Sequence, residues 1–174
     1  MTLTSHQRPH RGISDDWLTP PEILNALGPF DLDPCASVDQ PWKTATVQYT
    51  ESGMQRPWDG FVWLNPPFGP AAGTWLDALA AHGNGIGLVP ARTETRWFVR
   101  AVWEQADAIL FLHGRPHFHH PVTGKRAAAN SGVPICLIAY GPTAVKRLES
   151  CGLQGTLIRL NAPTPSPEPT EGGR

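Results

Sequence analysis

Val62-Trp63-Leu64-Asn65-Pro66-Pro67-Phe68-Gly69 is the stretch on which the reading of this chain turns. Phe61 extends its front into a run of four apolar residues, which predicts a strand over 61–64 that ends at Asn65. Two prolines then fix the backbone angle and remove two N–H donors, so nearby carbonyls stand available to a ligand. The side-chain oxygen of Asn65 and the carbonyl of Pro66 are placed to accept the two hydrogens of one amino group. Phe68 offers a flat surface to the ring carrying that group. Stacking of a base on an aromatic side chain contributes about 1–3 kcal/mol. An amino group conjugated to such a ring is a poor nucleophile, because its lone pair is delocalised. Two acceptors held out of the ring plane favour a tetrahedral nitrogen, which is stabilisation by positioned dipoles.

Outward from this stretch, short apolar runs alternate with helical patterns, the signature of an α/β protein. Strands are predicted over 30–33, 46–49, 61–64, 86–89, 108–112, 134–140 and 156–160. Helices are predicted over 20–27, with a proline in its first turn and Gly28 past its end, over 71–81, and near 143–150. Thr93 reads as the N-cap of a further helix carrying Trp97, Phe98 and Val102. The expected architecture is one domain over 15–161 with a mostly parallel, Rossmann-like sheet of six or seven strands. In such sheets the functional loops sit at the carboxyl ends of strands. Residues 1–14 carry no hydrophobic period and read as a flexible arm. The Pro-, Thr- and Gly-rich segment 162–174 reads as a disordered tail.

Composition excludes several classes. Cys35, Cys136 and Cys151 are odd in number and form no CxxC pair, which argues against a disulfide framework or zinc ribbon and for a reducing, cytoplasmic setting. There is no signal-peptide pattern, and no run of about 20 apolar residues for a membrane span. A phosphate-binding Gly-x-x-x-x-Gly-Lys loop and a Gly-x-Ser-x-Gly elbow are both missing. His113, His117, His119 and His120 lack metal-ligand spacing, so no metal is expected. The formal net charge is −1, yet residues 91–130 hold six basic side chains against three acidic ones. A locally basic middle suits a polyanionic partner.

A second stretch, Phe30-Asp31-Leu32-Asp33-Pro34-Cys35-Ala36-Ser37, ends a strand on an acidic residue and follows it with small residues in a tight turn. Backbone in such a turn can approach a ligand closely. With Trp17-Leu18-Thr19-Pro20-Pro21-Glu22 before it, Asn65 to Phe68 after it, and the segments 88–98 and 114–118, it resembles the small phage-type DNA N6-adenine methyltransferases. The resemblance spans about residues 16–140 and centres on the [Asp/Asn/Ser]-Pro-Pro-[Tyr/Phe] motif of amino-group methyltransferases.

That resemblance implies methyl transfer from S-adenosylmethionine to adenine N6 in double-stranded DNA. Asn65, Pro66, Pro67 and Phe68 would then be the catalytic set. Thr19, Pro20, Asp33, Pro34, Cys35 and Ala36 would form the cofactor site, with Thr19 on the methionine moiety. The Gly-x-Gly of larger methyltransferases is missing after Asp33, and only 32 residues separate Asp33 from Asn65. The domain is therefore expected to be abbreviated, and the acid for the ribose hydroxyls is open among Asp39, Glu51 and Asp59. Arg92, Arg96, Arg115, Lys125 and Arg126 are the candidate DNA contacts, the last three in the polar loop 114–130, the leading candidate for target recognition. Two rivals stand beside this reading: an amino-group methyltransferase acting on RNA or protein glutamine, and a catalytically silent DNA-binding protein on the same fold. Neither the recognition sequence nor the oligomeric state can be read from the chain, although a monomer is plausible.

Overall fold

The run at 61–64 lacks any polar alternation because it lies inside a sheet covered on both faces. The computed structural model describes residues 17–160. The arm and tail expected at 1–14 and 162–174 lie outside the described residues. Within them the chain runs through α1 (Pro21–Leu27), β1 (Leu32–Asp33), β2 (Val47–Gln48), β3 (Val62–Leu64), α2 (Ala72–His82), β4 (Gly85–Pro90), α3 (Arg96–Phe98), β5 (Ala108–Leu112), β6 (Ile135–Tyr140), α4 (Pro142–Ser150) and β7 (Gly155–Arg159). A 3₁₀ turn, Gly53–Gln55, lies between β2 and β3, and α3 continues as a π-turn over Val99–Trp103.

All seven strands join one sheet in the order β2-β1-β3-β4-β6-β5-β7, so the α/β expectation holds. The expectation of a mostly parallel sheet does not. The β2–β1, β1–β3 and β3–β4 pairs are parallel, but β4–β6, β6–β5 and β5–β7 are antiparallel and make up the longer part of the ladder. The cause is the connection between β5 and β6. A parallel neighbour needs a crossover, usually a helix. Residues 113–134 contain no helix, so β6 returns beside β5 in the opposite sense.

Two apolar clusters sandwich the sheet. Trp63 belongs with Ile23, Leu24 and Leu27 of α1 and Ala144, Val145 and Leu148 of α4. Val62 and Leu64 belong with Leu76 and Leu79 of α2 and with Phe98, Ala101 and Val102. Gly87 lets α2 lie close to the sheet: a Cβ there would stand 2.9 Å from a methyl of Leu76. Thr93 is not the cap expected of it. The helix begins at Arg96 with Thr95 in the N-cap position and no side-chain capping bond. Thr95 Oγ1 instead donates to the Arg92 carbonyl (2.8 Å), and Trp103 Nε1 donates to the Thr93 carbonyl (3.1 Å). Inside the π-turn, the buried Tyr140 hydroxyl satisfies the Ala101 carbonyl at 2.6 Å. Among the described residues, no helix is long and apolar enough to cross a membrane, and the three cysteines form no disulfide.

Leu76 is fully buried between α2 and the sheet, so Leu76→Ala removes a side chain that nothing can replace without moving α2. The substitution is expected to cost about 3 kcal/mol and to lower the thermal midpoint by roughly 10 °C, measured by circular dichroism.

Candidate active site

Leu32 of β1 stands opposite Val62 of β3 in parallel register, so the two strands deliver their carboxyl ends side by side. From β1 come Asp33, Pro34, Cys35 and Ala36; from β3 come Asn65, Pro66, Pro67 and Phe68. The chain following β2 adds Tyr49 to Gly53, and the segment 17–19 lies against the same opening. Together these line a cleft with a cavity volume of about 200 Å³. Gly53 permits the close approach of two of its walls, because a Cβ there would overlap the Pro34 carbonyl.

Asp33 is 2% exposed. Its carboxylate accepts the Cys35 backbone N–H at 3.0 Å and the Thr44 hydroxyl. Burial pushes its pKa up from the usual 3.8 to about 6, against the opposing pull of the Thr44 and Cys35 hydrogen bonds. The carboxylate thus holds the turn that shapes the cleft wall.

Asn65 Nδ2 donates to the Trp17 carbonyl at 2.9 Å. That bond turns the amide so that its other end, Oδ1, is left without a donor among the described residues. The carbonyls of Pro66 and Pro67 likewise accept no hydrogen bond there. Phe68 is half-buried and meets Phe118 edge to face, with ring centroids 5.7 Å apart.

Two residues of the cleft wall carry a buried polar atom with no partner among the described residues, Thr19 Oγ1 and Trp63 Nε1. A buried polar group left unsatisfied costs about 1–3 kcal/mol, so a ligand that engages the Thr19 hydroxyl relieves a cost already present. On this observation the donor set fits a polar small molecule such as an amino-acid carboxylate. Pro20 is outside the lining; it occupies the N-cap of α1, where its carbonyl accepts from the Ile23 N–H at 3.0 Å. Of the three acids considered for ribose, Glu51 lines the cleft, while Asp39 and Asp59 do not.

The connection 113–134 is anchored at its middle, where Phe118 and Pro121 are buried. Leu18 and His119 exchange two backbone hydrogen bonds of 2.9 and 3.0 Å, and His119 bridges to Arg126. Phe118 is buried against Phe68, while His119 and His120 lie edge-on to Trp42 and Trp17. Arg115 donates to the Gly132 carbonyl at 3.0 Å. Arg92, Arg96, Arg115, Lys125 and Arg126 are all exposed and form no ion pair among the described residues. They divide between the connections that follow β4 and β5, two strands separated in the sheet by β6. Among the described residues, no group of three or more His, Cys, Asp or Glu side chains could hold a metal.

Sequence reasoning missed Trp17, Gln40, Thr44 and Tyr49 as parts of this site. Trp17 and Thr44 act on Asn65 and Asp33, the first through its main-chain oxygen, which leaves no trace in residue identity. The position of Trp17 two residues before Thr19 was the available signal. Against known proteins, the family model described as DNA N-6-adenine-methyltransferase (Dam) matches residues 6–147 of the chain. No curated protein and no solved structure gives a significant match.

The raised pKa of Asp33 makes folding favour its protonated form. Stability from this group is therefore full below about pH 4, falls as the pH rises toward 6, and is flat beyond. Asp33→Asn keeps an acceptor for Cys35 and a partner for Thr44 while removing the charge. Above pH 6 the variant should be more stable than the parent by about 2–3 kcal/mol, and the gain should vanish toward pH 4. Chemical denaturation at a series of pH values checks this.

Proposed function

The chain belongs to the DNA N-6-adenine-methyltransferase (Dam) family and transfers a methyl group to N6 of adenine in DNA, and on that premise we propose how this cleft does so. The observation that carries the proposal is the orientation of Asn65. With Nδ2 engaged by the Trp17 carbonyl, Oδ1 and the Pro66 carbonyl, unclaimed among the described residues, are a pair of acceptors for the two hydrogens of adenine N6. They draw the nitrogen toward a tetrahedral geometry and localise its lone pair. Pro67 stiffens the turn, and Phe68 stacks on the target base, which must leave the duplex to reach the cleft.

The methyl donor is taken to be S-adenosylmethionine, which supplies a methyl group activated on a sulfonium. On this reading the Thr19 hydroxyl hydrogen-bonds its carboxylate, Glu51 accepts from its ribose hydroxyls, and the 33–36 turn and Gly53 admit it closely. The fold is then an abbreviated Rossmann-like methyltransferase domain with an antiparallel extension. Double-stranded DNA is the proposed substrate, and cytoplasm the proposed setting. Arg92, Arg96, Arg115, Lys125 and Arg126 contact phosphates, which helps to offset the few kcal/mol of base extrusion.

Asn65→Ala is expected to reduce kcat for methyl incorporation into duplex DNA by about 10²–10³, and Phe68→Ala to weaken base binding by about 1–3 kcal/mol. Labelled-methyl transfer into duplex DNA, single-stranded DNA, RNA and protein in parallel tests both. Equal labelling of RNA or protein, or full activity of Asn65→Ala, would overturn the reading.

Thr19→Val provides a separate test of the donor site by calorimetric titration with S-adenosylhomocysteine. Affinity should fall by about 1.5–3 kcal/mol, the range for a hydrogen bond to a charged group. The thermal midpoint of the unliganded protein should hold or rise, since Thr19 Oγ1 has no partner to lose among the described residues.

A further inference from the structure

We infer that the main-chain carbonyl of Trp17 is a positioning group that sets the polarity of the Asn65 amide, so that this chain accepts asparagine at position 65 but not an ionised aspartate. The inference rests on the proposed role of Asn65 and adds to it a reason for the residue type.

An amide side chain has two ends of similar shape and opposite hydrogen-bonding character. If Nδ2 were turned into the cleft, two N–H donors would confront the N–H donors of the target amino group. The 2.9 Å bond from Nδ2 to the Trp17 carbonyl decides between the two orientations. The carbonyl is itself held. Leu18, the next residue, is 5% exposed and exchanges both backbone hydrogen bonds with His119. Thr19, one further on, is buried at the head of α1. The Trp17 ring also lies edge-on to His120. The oxygen facing Asn65 therefore cannot turn away without breaking the Leu18–His119 bridge.

Aspartate has nearly the shape of asparagine but, when ionised, offers only acceptors. At position 65 a carboxylate would set one oxygen against the Trp17 oxygen, with no proton between them. Its protonated form is different: the hydroxyl donates to Trp17, and the remaining C=O faces the cleft as Asn65 Oδ1 does. The Asn65→Asp protein is thus expected to work while that side chain is a neutral acid and to fail once it ionises. Other titratable groups face the same cleft or its surrounds: Asp33, Cys35, Tyr49 and Glu51 in the wall, and His119 and His120 behind segment 17–19. Asp33 ionises at around pH 6. The measurement must therefore be the difference between variant and parent, in which these groups are common.

The test compares Asn65→Asp with the parent and with Asn65→Ala between about pH 5 and pH 8.5, a window spanning the range over which a buried carboxyl ionises. Two readouts are taken: labelled-methyl transfer to duplex DNA, and the thermal midpoint of the protein without ligand. Relative to the parent, Asn65→Asp should lose at least about tenfold in kcat from the acid to the alkaline end of the range, along a single-ionisation curve. Its midpoint deficit should widen over the same range, whereas the deficit of Asn65→Ala stays constant. Unfolding of Asn65→Asp at the alkaline end with refolding at the acid end would also support the inference. An Asn65→Asp protein with parental kcat at the alkaline end, or one whose midpoint deficit is independent of pH, would overturn it. The failure of the broader proposal looks different: there Asn65→Ala itself remains active.

Discussion

The cleft depends on one pairing, the parallel register that sets Leu32 opposite Val62. Side chains alternate across a sheet, so this register assigns faces as well as positions. Leu32 and Val62 share the apolar cluster beneath α2, which turns Asp33 and Trp63 to the opposite side, toward α1. Continuing the alternation past the strand end brings Asn65 to that side too, where segment 17–19 waits. A slip of one residue would exchange the faces and push Asp33 among Leu76, Leu79 and Phe98. The parallel half of the sheet is short, but it is the half in which register has chemical consequences.

Positioning of this kind works against stability. Asp33 is buried with its pKa raised, and Thr19 and Trp63 each bury a polar atom without a partner among the described residues. None of these would be chosen to stabilise a fold, and each sits on the wall of the same cleft. The offsetting burial lies elsewhere, chiefly in β4 and β6, whose residues from Gly85 to Pro90 and from Ile135 to Tyr140 are buried throughout. The longer antiparallel half thus supplies a rigid base, and the shorter parallel half carries the unsatisfied polar groups. Sites are generally the places where local rules of foldability are broken and compensated at a distance.

This division explains what could be read in advance. The strands at 86–89, 108–112 and 134–140 were legible to within a residue or two because their apolar runs are long and sharply bounded. The motif residues Asp33, Asn65 and Phe68 were legible as a group because strand ends followed by turn residues are visible in one dimension. Sheet direction was not, since it depends on how residues 113–134 return, and a polar stretch shows only that no helix intervenes. The start of α3 was misread for a related reason. Thr93 has the right side chain for a cap, but its carbonyl is engaged by Trp103, ten residues away. Main-chain partners of this kind, Trp17 for Asn65 above all, carry no signature in residue type.

The same contrast bears on charge. A chain of net charge −1 is an unpromising partner for a polyanion only if its charges are averaged. Screening confines exposed charges to interactions within about 8–10 Å at physiological ionic strength, so the local set decides. Arg100 and Arg159 are engaged by Asp77 and Glu149, and Arg147 is directed to the carbonyls of Leu27 and Pro29. Among the described residues, the exposed cations that no carboxylate claims include Arg92, Arg96, Arg115, Lys125 and Arg126, on the two connections that leave the carboxyl ends of β4 and β5. Those strands point the same way, because each runs antiparallel to β6 between them, and β4 runs parallel to β3. The unpaired positive charge and the acceptors of Asn65 and Pro66 therefore issue from the same edge of the sheet. Topology alone, with no excess of basic residues overall, sets cations that suit a phosphate backbone at the same end of the sheet as carbonyl acceptors that suit an amino group.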